Sequence, residues 1–395
     1  MEELAARLGS AVPFAEAAEL LLLAAGVRLG ATTLRERTYA AGAAALAVEG
    51  EALARAMRAP ARAAQPPAVL QVSIDATKVP LVGGGWTDVK LAVFADLAPG
   101  PAGRDGCPTL VPQTTSYAAR WEAAAQFGQT LTLEAQRRGL DEAGVVVSPN
   151  DGAEWIQGNL DLVAPQAIRI LDFPHAVEHL GALAALVYGE GSAEASAWVT
   201  AQRAALRDRG ADALLPALAA CQARGPCASA LVDAEGRTPA DRLRREVAYF
   251  TSRAAQLAYP AFRQRGYPIG SGMVESGHKV VIGPRFKGAG QHWADRHLNP
   301  LLALRCAGCN DRWGATWPTL WAQQGQQAQA HHAATQRCRR QARPATPSPP
   351  PAPAPAAPPR PAPAPPRPAL VVAGRPTAAH PWRRFSFGAT LRPGR

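Results

Sequence analysis

VLQVSIDATKVPLVGGGWTDVKLAVFADL, residues 69–97, is the stretch on which the fold turns. From Val69 to Val79 apolar and polar side chains alternate in the manner of a β-strand, and a single acid, Asp75, stands near its end. Gly83-Gly84-Gly85 supplies a hairpin turn, and Trp86 to Leu97 reads as the return strand. Working outward, Leu110 to Tyr117 reads as a third strand and Ala118 to Gly139 as a helix. Val145 to Ser148 is a short buried strand running into Pro149-Asn150-Asp151-Gly152, followed by a helix over Ala153 to Leu162. Ala167 to Phe173, AIRILDF, is a further strand closing on Asp172. Strands mixed with helices in this order predict an α/β class with a mixed sheet.

After Pro174 the strands stop, and His175 to Arg265 reads as an all-α insertion. It ends at YPIGSGMVESGHKVVIGPRFKGAGQ, residues 267–291. There Ser271 fits an N-cap, Val274 to Ile282 supplies an apolar helix face, and Gly283-Pro284 is the expected stop. Glu275 is the only acid in this stretch, with Lys279, Arg285 and Lys287 close behind it. A lone carboxylate in a cationic, Gly-rich setting points to a metal ligand held against a polyanion; it also fits an acid that merely complements the helix dipole.

Ahead of the sheet, Glu2 to Gly50 is helical in period. A Gly-containing turn precedes a helix that Thr32 or Thr33 can cap and that carries Arg35 and Arg37. That outline fits a DNA-reading helix-turn-helix and plain helical packing alike. The predicted organisation is therefore a helical region at 1–59, a linker at 60–68, the first part of the core at 69–175 and the insertion at 176–266. Carboxyl-terminal core helices with Glu275 follow at 267–322, then a tail at 323–395 that is polar, Pro/Ala-rich and Arg-rich. Pro344 to Pro368 favours extended polyproline over packing and predicts a disordered tether.

The chain has 42 Lys and Arg against 31 Asp and Glu, a net charge of +11. Eleven arginines and no acid lie between Arg337 and Arg395, so the remainder is neutral and any nucleic-acid affinity there must come from local patches. One such patch is Arg285, Lys287, His292, Trp293 and Arg296, cations interleaved with an indole that either stacks on an unpaired base or packs in the core. Six scattered cysteines fit a reducing cytosol, and Cys306-x-x-Cys309 lacks the second pair of a zinc site. The start MEELAARLG is acidic, and no apolar run approaches about 18 residues, which argues against export and membrane insertion.

Asp75 and Asp151 each fall near the carboxyl end of a predicted strand, where an α/β sheet presents functional side chains. Either is locally explicable as a turn former. With Glu275 they predict three acids converging on one point, able to hold two divalent ions that activate an attacking oxygen and stabilise a leaving one. Oxygen-only ligands favour Mg²⁺, with Mn²⁺ as substitute. Asp172 and His175 stand beside this site at a strand-to-helix turn, either orienting a ligand or fixing the turn. His179 follows one helical turn later, but Glu178 is misplaced for a zinc-binding HExxH arrangement.

SIDATKVP around Asp75, NDGAEWI around Asp151, LDFPHAVEHL, YPIGSGMVES around Glu275, and NPLLALRCAGCNDRW from Asn299 to Trp313 together resemble a bacterial insertion-sequence DDE transposase of the ISKra group. The similarity runs from Glu2 to about Trp313, and the closing HPWRRF resembles that group's ending. The resemblance implies an RNase H-like core with a helical insertion before the last acid, and metal-dependent cleavage and joining of DNA strands. It places the catalytic triad on Asp75, Asp151 and Glu275. Implied partners are double-stranded DNA, as terminal inverted repeats and target, and a second copy of the chain, since two element ends must meet. The implied location is the bacterial cytoplasm at the nucleoid. Pro174 stands where the group tends to carry an aromatic residue and Ala76 where Gly is frequent. Relatives usually carry a Cys-containing segment ahead of the part matching Glu2, so a shortened, non-catalytic DNA-binding remnant is one alternative. A nuclease or resolvase without strand transfer is another.

Overall fold

Three helices, α1 (Glu2–Ala11), α2 (Phe14–Ala25) and α3 (Ala31–Arg58), lead into a sheet. Its strands are β1 (Val69–Pro80), β2 (Trp86–Pro99), β3 (Leu110–Arg120), β4 (Val145–Asn150) and β5 (Ile168–Leu171), with α4 (Ala124–Arg137) and α5 (Glu154–Val163) between the later ones. The insertion comprises α6 (Phe173–Tyr188), α7 (Ala193–Arg209), α8 (Ala211–Arg224), α9 (Pro239–Thr251), a 3-10 turn at Ala254–Leu257 and α10 (Tyr259–Gln264). Then come α11 (Gly272–Gly277), a π-helical segment at His278–Ile282, α12 (Gly283–Phe286), α13 (Asp295–Cys309) and α14 (Trp313–Gln341). This computed structural model describes residues 1–59, 63, 65–228, 230–341, 368–373 and 375–380. Residues 1–335 form one compact unit. The second unit, 336–395, contains among its described residues a short ribbon of β6 (Val371–Val372) and β7 (Arg375–Pro376). Most of the Pro/Ala-rich tether and all but the first residue of HPWRRF lie outside the described residues.

The sheet is mixed, ordered β3-β2-β1-β4-β5. β1, β2 and β3 pair antiparallel, and β4 and β5 run parallel to β1. Period-two alternation sorts its side chains. Leu70, Val72 and Ile74 of β1, with Ala92 and Phe94 of β2, meet Phe127 and Leu131 of α4 and Ile156 and Leu160 of α5. On the opposite face Leu91 and Val93 meet Val274, Val281, Ile282 and Leu301, while Ala95, Leu97 and Val147 meet the insertion. The sheet is thus covered on both sides by helices, an α/β architecture.

The free edge at β3 is closed by amide side chains. Asn310 accepts from the Tyr117 N–H (2.8 Å) and donates to the Tyr117 carbonyl (3.0 Å). Asn299 does the same for Trp121 (2.8 and 3.1 Å). These two asparagines take the place of a neighbouring strand, and they explain why β3 reaches Arg120 where a helix was expected from Ala118.

Three local expectations need correction. Neither Thr32 nor Thr33 caps α3; Gly30 is its N-cap, and no side-chain hydrogen bond caps it. Ser271 does stand at the N-cap of α11, but its side chain makes no capping bond. Gly283-Pro284 does not stop the helix: α12 begins there, because a proline in the first turn has no N–H to satisfy. The polar run Gln323 to His332 belongs to α14 rather than to the tail. Buried Cys306 and half-buried Cys309 are free thiols, and burial pushes Cys306 up to about 11.

Candidate active site

β1 and β4 pair directly only from Val69–Val145 to Gln71–Val147. Beyond that side chains bridge them. Ser148 Oγ donates to the Val72 carbonyl (2.7 Å), and the Ile74 N–H donates to Asn150 Oδ1 (2.5 Å). Asn150, 2% exposed, is itself fixed by donating to Ser148 Oγ (2.8 Å). A side chain replacing a ladder bond means that the strands part here, immediately before Asp75 on one and Asp151 after the other.

Asp75 accepts the Ala76 N–H through Oδ1 (2.7 Å), and its Oδ2 lies 3.1 Å from His278 Nε2. Asp151 accepts the Ala153 N–H through Oδ1 (2.8 Å). Burial first, and then the Asp75 and Asp172 carboxylates, push Asp151 above the usual carboxylate range, against the Ala153 bond and the opposing influence of His175. Asp75, on the other side of the parted strands, is thus one of the charges that act on Asp151.

Asp172 is a brace. As N-cap of α6 it accepts the His175 N–H (3.2 Å), and its other oxygen accepts the Ser271 N–H (2.9 Å). One carboxylate thereby ties the start of the insertion to the turn before Glu275, which is the turn-fixing role of the two expected from sequence. The His175 ring faces Glu178 (3.2 Å), and His179 faces Glu246 (2.6 Å).

Glu275 is exposed on α11, whose six residues pass directly into the π-helical segment. Gly277 brings this arm against the sheet: a Cβ there would lie 2.7 Å from Val93 Cγ2 and 3.0 Å from Leu91 Cδ2. Carbonyls freed by the wider turn are taken by Arg305 of α13, which donates to Val280 (2.5 Å) and Val281 (3.1 Å). Glu275 precedes His278 by three residues, so the two share a helix face, and His278 is the arm's contact with Asp75.

The expected DNA-contacting residues separate into two groups. Arg285 is a correction: it is 1% exposed, its guanidinium lies 4.4 Å from the Phe14 ring centroid and 4.6 Å from that of Trp293, and it donates to the Gly9 carbonyl (3.0 Å). Burial pushes it down to about 10. It fastens the amino-terminal helices to the core and has no surface for a phosphate. Trp293 is likewise buried, so the packing reading stands and stacking on a base does not. Lys279, Lys287, His292, Arg296 and Arg35 are exposed, and Lys287 reaches Thr77, two residues beyond Asp75 (2.5 Å). Arg37 is paired with Glu2.

No protein-family model matches this chain, and no curated protein does.

The site must therefore be weighed by its donors. Among the described residues, no group of three or more His, Cys, Asp and Glu is arranged to hold a metal ion. Asp151, whose ionisation is disfavoured first by burial and then by the Asp75 and Asp172 charges, is nonetheless a fit for a hard divalent cation, which would offset that cost through oxygen ligands. Asp75 and Asp151 are the residues that would hold it, and Glu275 stands outside the pair. A cavity of about 320 Å³ lined by Arg120, Glu134, Arg137 and Arg312 lies at the β3 edge, and its lining includes none of the three acids. Sequence reading missed Asn150 and His278. Asn150 had a signal in its place directly before an acid at a strand end, and His278 in its spacing from Glu275.

Proposed function

We propose that this chain cuts and joins DNA strands as a DDE-type transposase on an RNase H-like core, with Asp75, Asp151 and Glu275 as its catalytic carboxylates. The observation that carries this reading is geometric: β1 and β4 part, bridged by Ser148 and Asn150, immediately before Asp75 and Asp151, and Asp75 lies against His278 on the arm that bears Glu275. Further support comes from the layout of a mixed sheet, then an all-α insertion, then a helix with the last acid.

Bound Mg²⁺ ions, or Mn²⁺ in their place, would activate the attacking oxygen and stabilise the leaving one. Asp75 and Asp151 supply the fixed side of that site. Glu275 would complete that site from the arm, where His278 is the residue that contacts Asp75. Lys279, Lys287, His292 and Arg296 offer exposed charge to the DNA backbone on the same arm and the segment after it, and Arg35 on α3 adds to it. Water first attacks a phosphodiester, forming one P–O bond as another breaks and freeing a 3′-hydroxyl. That hydroxyl then attacks the target strand in the same way, so no covalent bond to the protein forms. The substrates are transposon terminal inverted repeats and target DNA, bound by a homodimer or higher oligomer in the bacterial cytoplasm at the nucleoid. No helix among the described residues is long and apolar enough to cross a membrane.

A non-catalytic remnant is the second reading, supported by His278, not Glu275, being the arm's contact with Asp75. Labelled inverted-repeat ends incubated with protein and Mg²⁺ or Mn²⁺ decide between them. Cleavage followed by joining is expected for the wild type and neither for Asp151→Asn. Cleavage that survives in the variant removes Asp151 from the chemistry; cleavage without joining supports a nuclease, and an inert wild type supports the remnant.

A further inference from the structure

The turn bearing Asp151 is held from outside itself. Its local bond uses the carboxylate, Oδ1 accepting the Ala153 N–H, while the two carbonyl oxygens of the turn are claimed by the insertion. Tyr249 of α9 donates its hydroxyl to the Asp151 carbonyl (2.6 Å). Arg253, just past α9, donates both Nε (3.0 Å) and Nη2 (2.7 Å) to the Gly152 carbonyl. Arg253 also donates to the Tyr249 carbonyl (3.0 Å), and its guanidinium lies 4.7 Å from the Tyr249 ring centroid. The same ring stacks on His179 of α6 at 3.7 Å. Gly152 is the residue this clamp requires: its φ is +80°, and a Cβ would stand 2.8 Å from Arg253 Nε.

We propose that Tyr249 and Arg253 are positioning residues for Asp151, so that the all-α insertion sets the aim of the catalytic carboxylate. With Oδ1 committed to the Ala153 N–H, the direction of Oδ2 follows the pitch of the 151–152 peptide planes. Those planes are fixed by the two carbonyls that Tyr249 and Arg253 hold. The insertion's packing onto the sheet is carried by other groups, among them Leu180, Leu183 and Phe250. A phenylalanine at 249 keeps the ring stacked on His179 and under Arg253 and removes only the hydroxyl. The proposal rests on the metal-dependent reading above, and partners of this kind typically change metal affinity about 10- to 100-fold when removed.

The test compares wild type, Tyr249→Phe, Arg253→Lys and Asp151→Asn by titration calorimetry with Mn²⁺ alone, beside circular dichroism and amide exchange over residues 150–154. Tyr249→Phe is expected to keep its spectrum and melting temperature, bind Mn²⁺ about tenfold more weakly, and exchange the Ala153 amide faster. Wild-type Mn²⁺ affinity and exchange in a folded Tyr249→Phe variant would overturn the proposal; if that variant fails to fold, Arg253→Lys decides on the same readouts. Equal Mn²⁺ affinity in wild type and Asp151→Asn would instead sink the metal reading. Amide exchange then judges the clamp, and unchanged protection at Ala153 overturns it.

Discussion

Asp75 stands on β1 and Asp151 immediately past the end of β4, braced by Asn150, Ser148 and the insertion. Glu275 stands on a six-residue helix that runs through a π-helical segment into a four-residue one. The first region is determined many times over: ladder bonds, a buried amide bridge and two clamped carbonyls all fix it. The second is held through contacts along its length: His278 to Asp75, Ser271 to Asp172, Lys287 to Thr77, and the packing of Val274, Val281 and Ile282 on Leu91 and Val93 beside the close approach of Gly277. On the proposed reading, the two acids at the strand ends would define where the chemistry happens, and the arm would bring the third carboxylate to them.

The comparison can be broken at its rigid side first. Asn150→Ala leaves the buried Ile74 N–H without its partner, and urea unfolding should show a loss of about 3 kcal/mol. A loss below about 1 kcal/mol would mean that the parting of the strands does not depend on this amide. At the arm the expected effect is smaller. Gly277→Ala drives a methyl against Val93 and Leu91, costing about 1–3 kcal/mol by overpacking, but gains up to about 1 kcal/mol in helix propensity. The net loss in the same urea assay should be about 1 kcal/mol; a stabilised variant would show that the arm already stands off the sheet.

The smallest effect is the pH dependence. Asp151 is raised in the fold, so its contribution is fully present below the unfolded value near 4 and is lost as pH rises through the higher folded one. Asp151→Asn has no such charge to bury. It should melt slightly above wild type at neutral pH, with the gap closing below about pH 4. A gap that is independent of pH would mean that burial and the neighbouring carboxylates do not raise Asp151 in the fold.

The strands around Asp75 were readable because alternation and turn residues act over a few positions, and β1 and β2 follow Val69–Val79 and Trp86–Leu97 closely. The end of β3 was not, since its last residues are held by Asn299 and Asn310 from far along the chain. The helix around Glu275 looked continuous because Val274 to Ile282 carries one apolar face; the π-helical break relies on Arg305 accommodating its carbonyls. Arg285 and Lys287 are alike in sequence, yet one is sandwiched between two rings and the other is exposed.

By itself, the order of residues determined the α/β class, the all-helical insertion and the candidate acids, because periodicity, capping chemistry and glycine placement are short-range properties. Tertiary structure alone decided that Asn150 bridges to the Ile74 N–H where β1 and β4 part, that His278 stands on Asp75, and that Tyr249 and Arg253 hold the Asp151 turn. Those contacts join segments about 75 to more than 200 positions apart. Whether a charge is buried or free, or a carboxylate paired or alone, depends on what the rest of the chain packs against it.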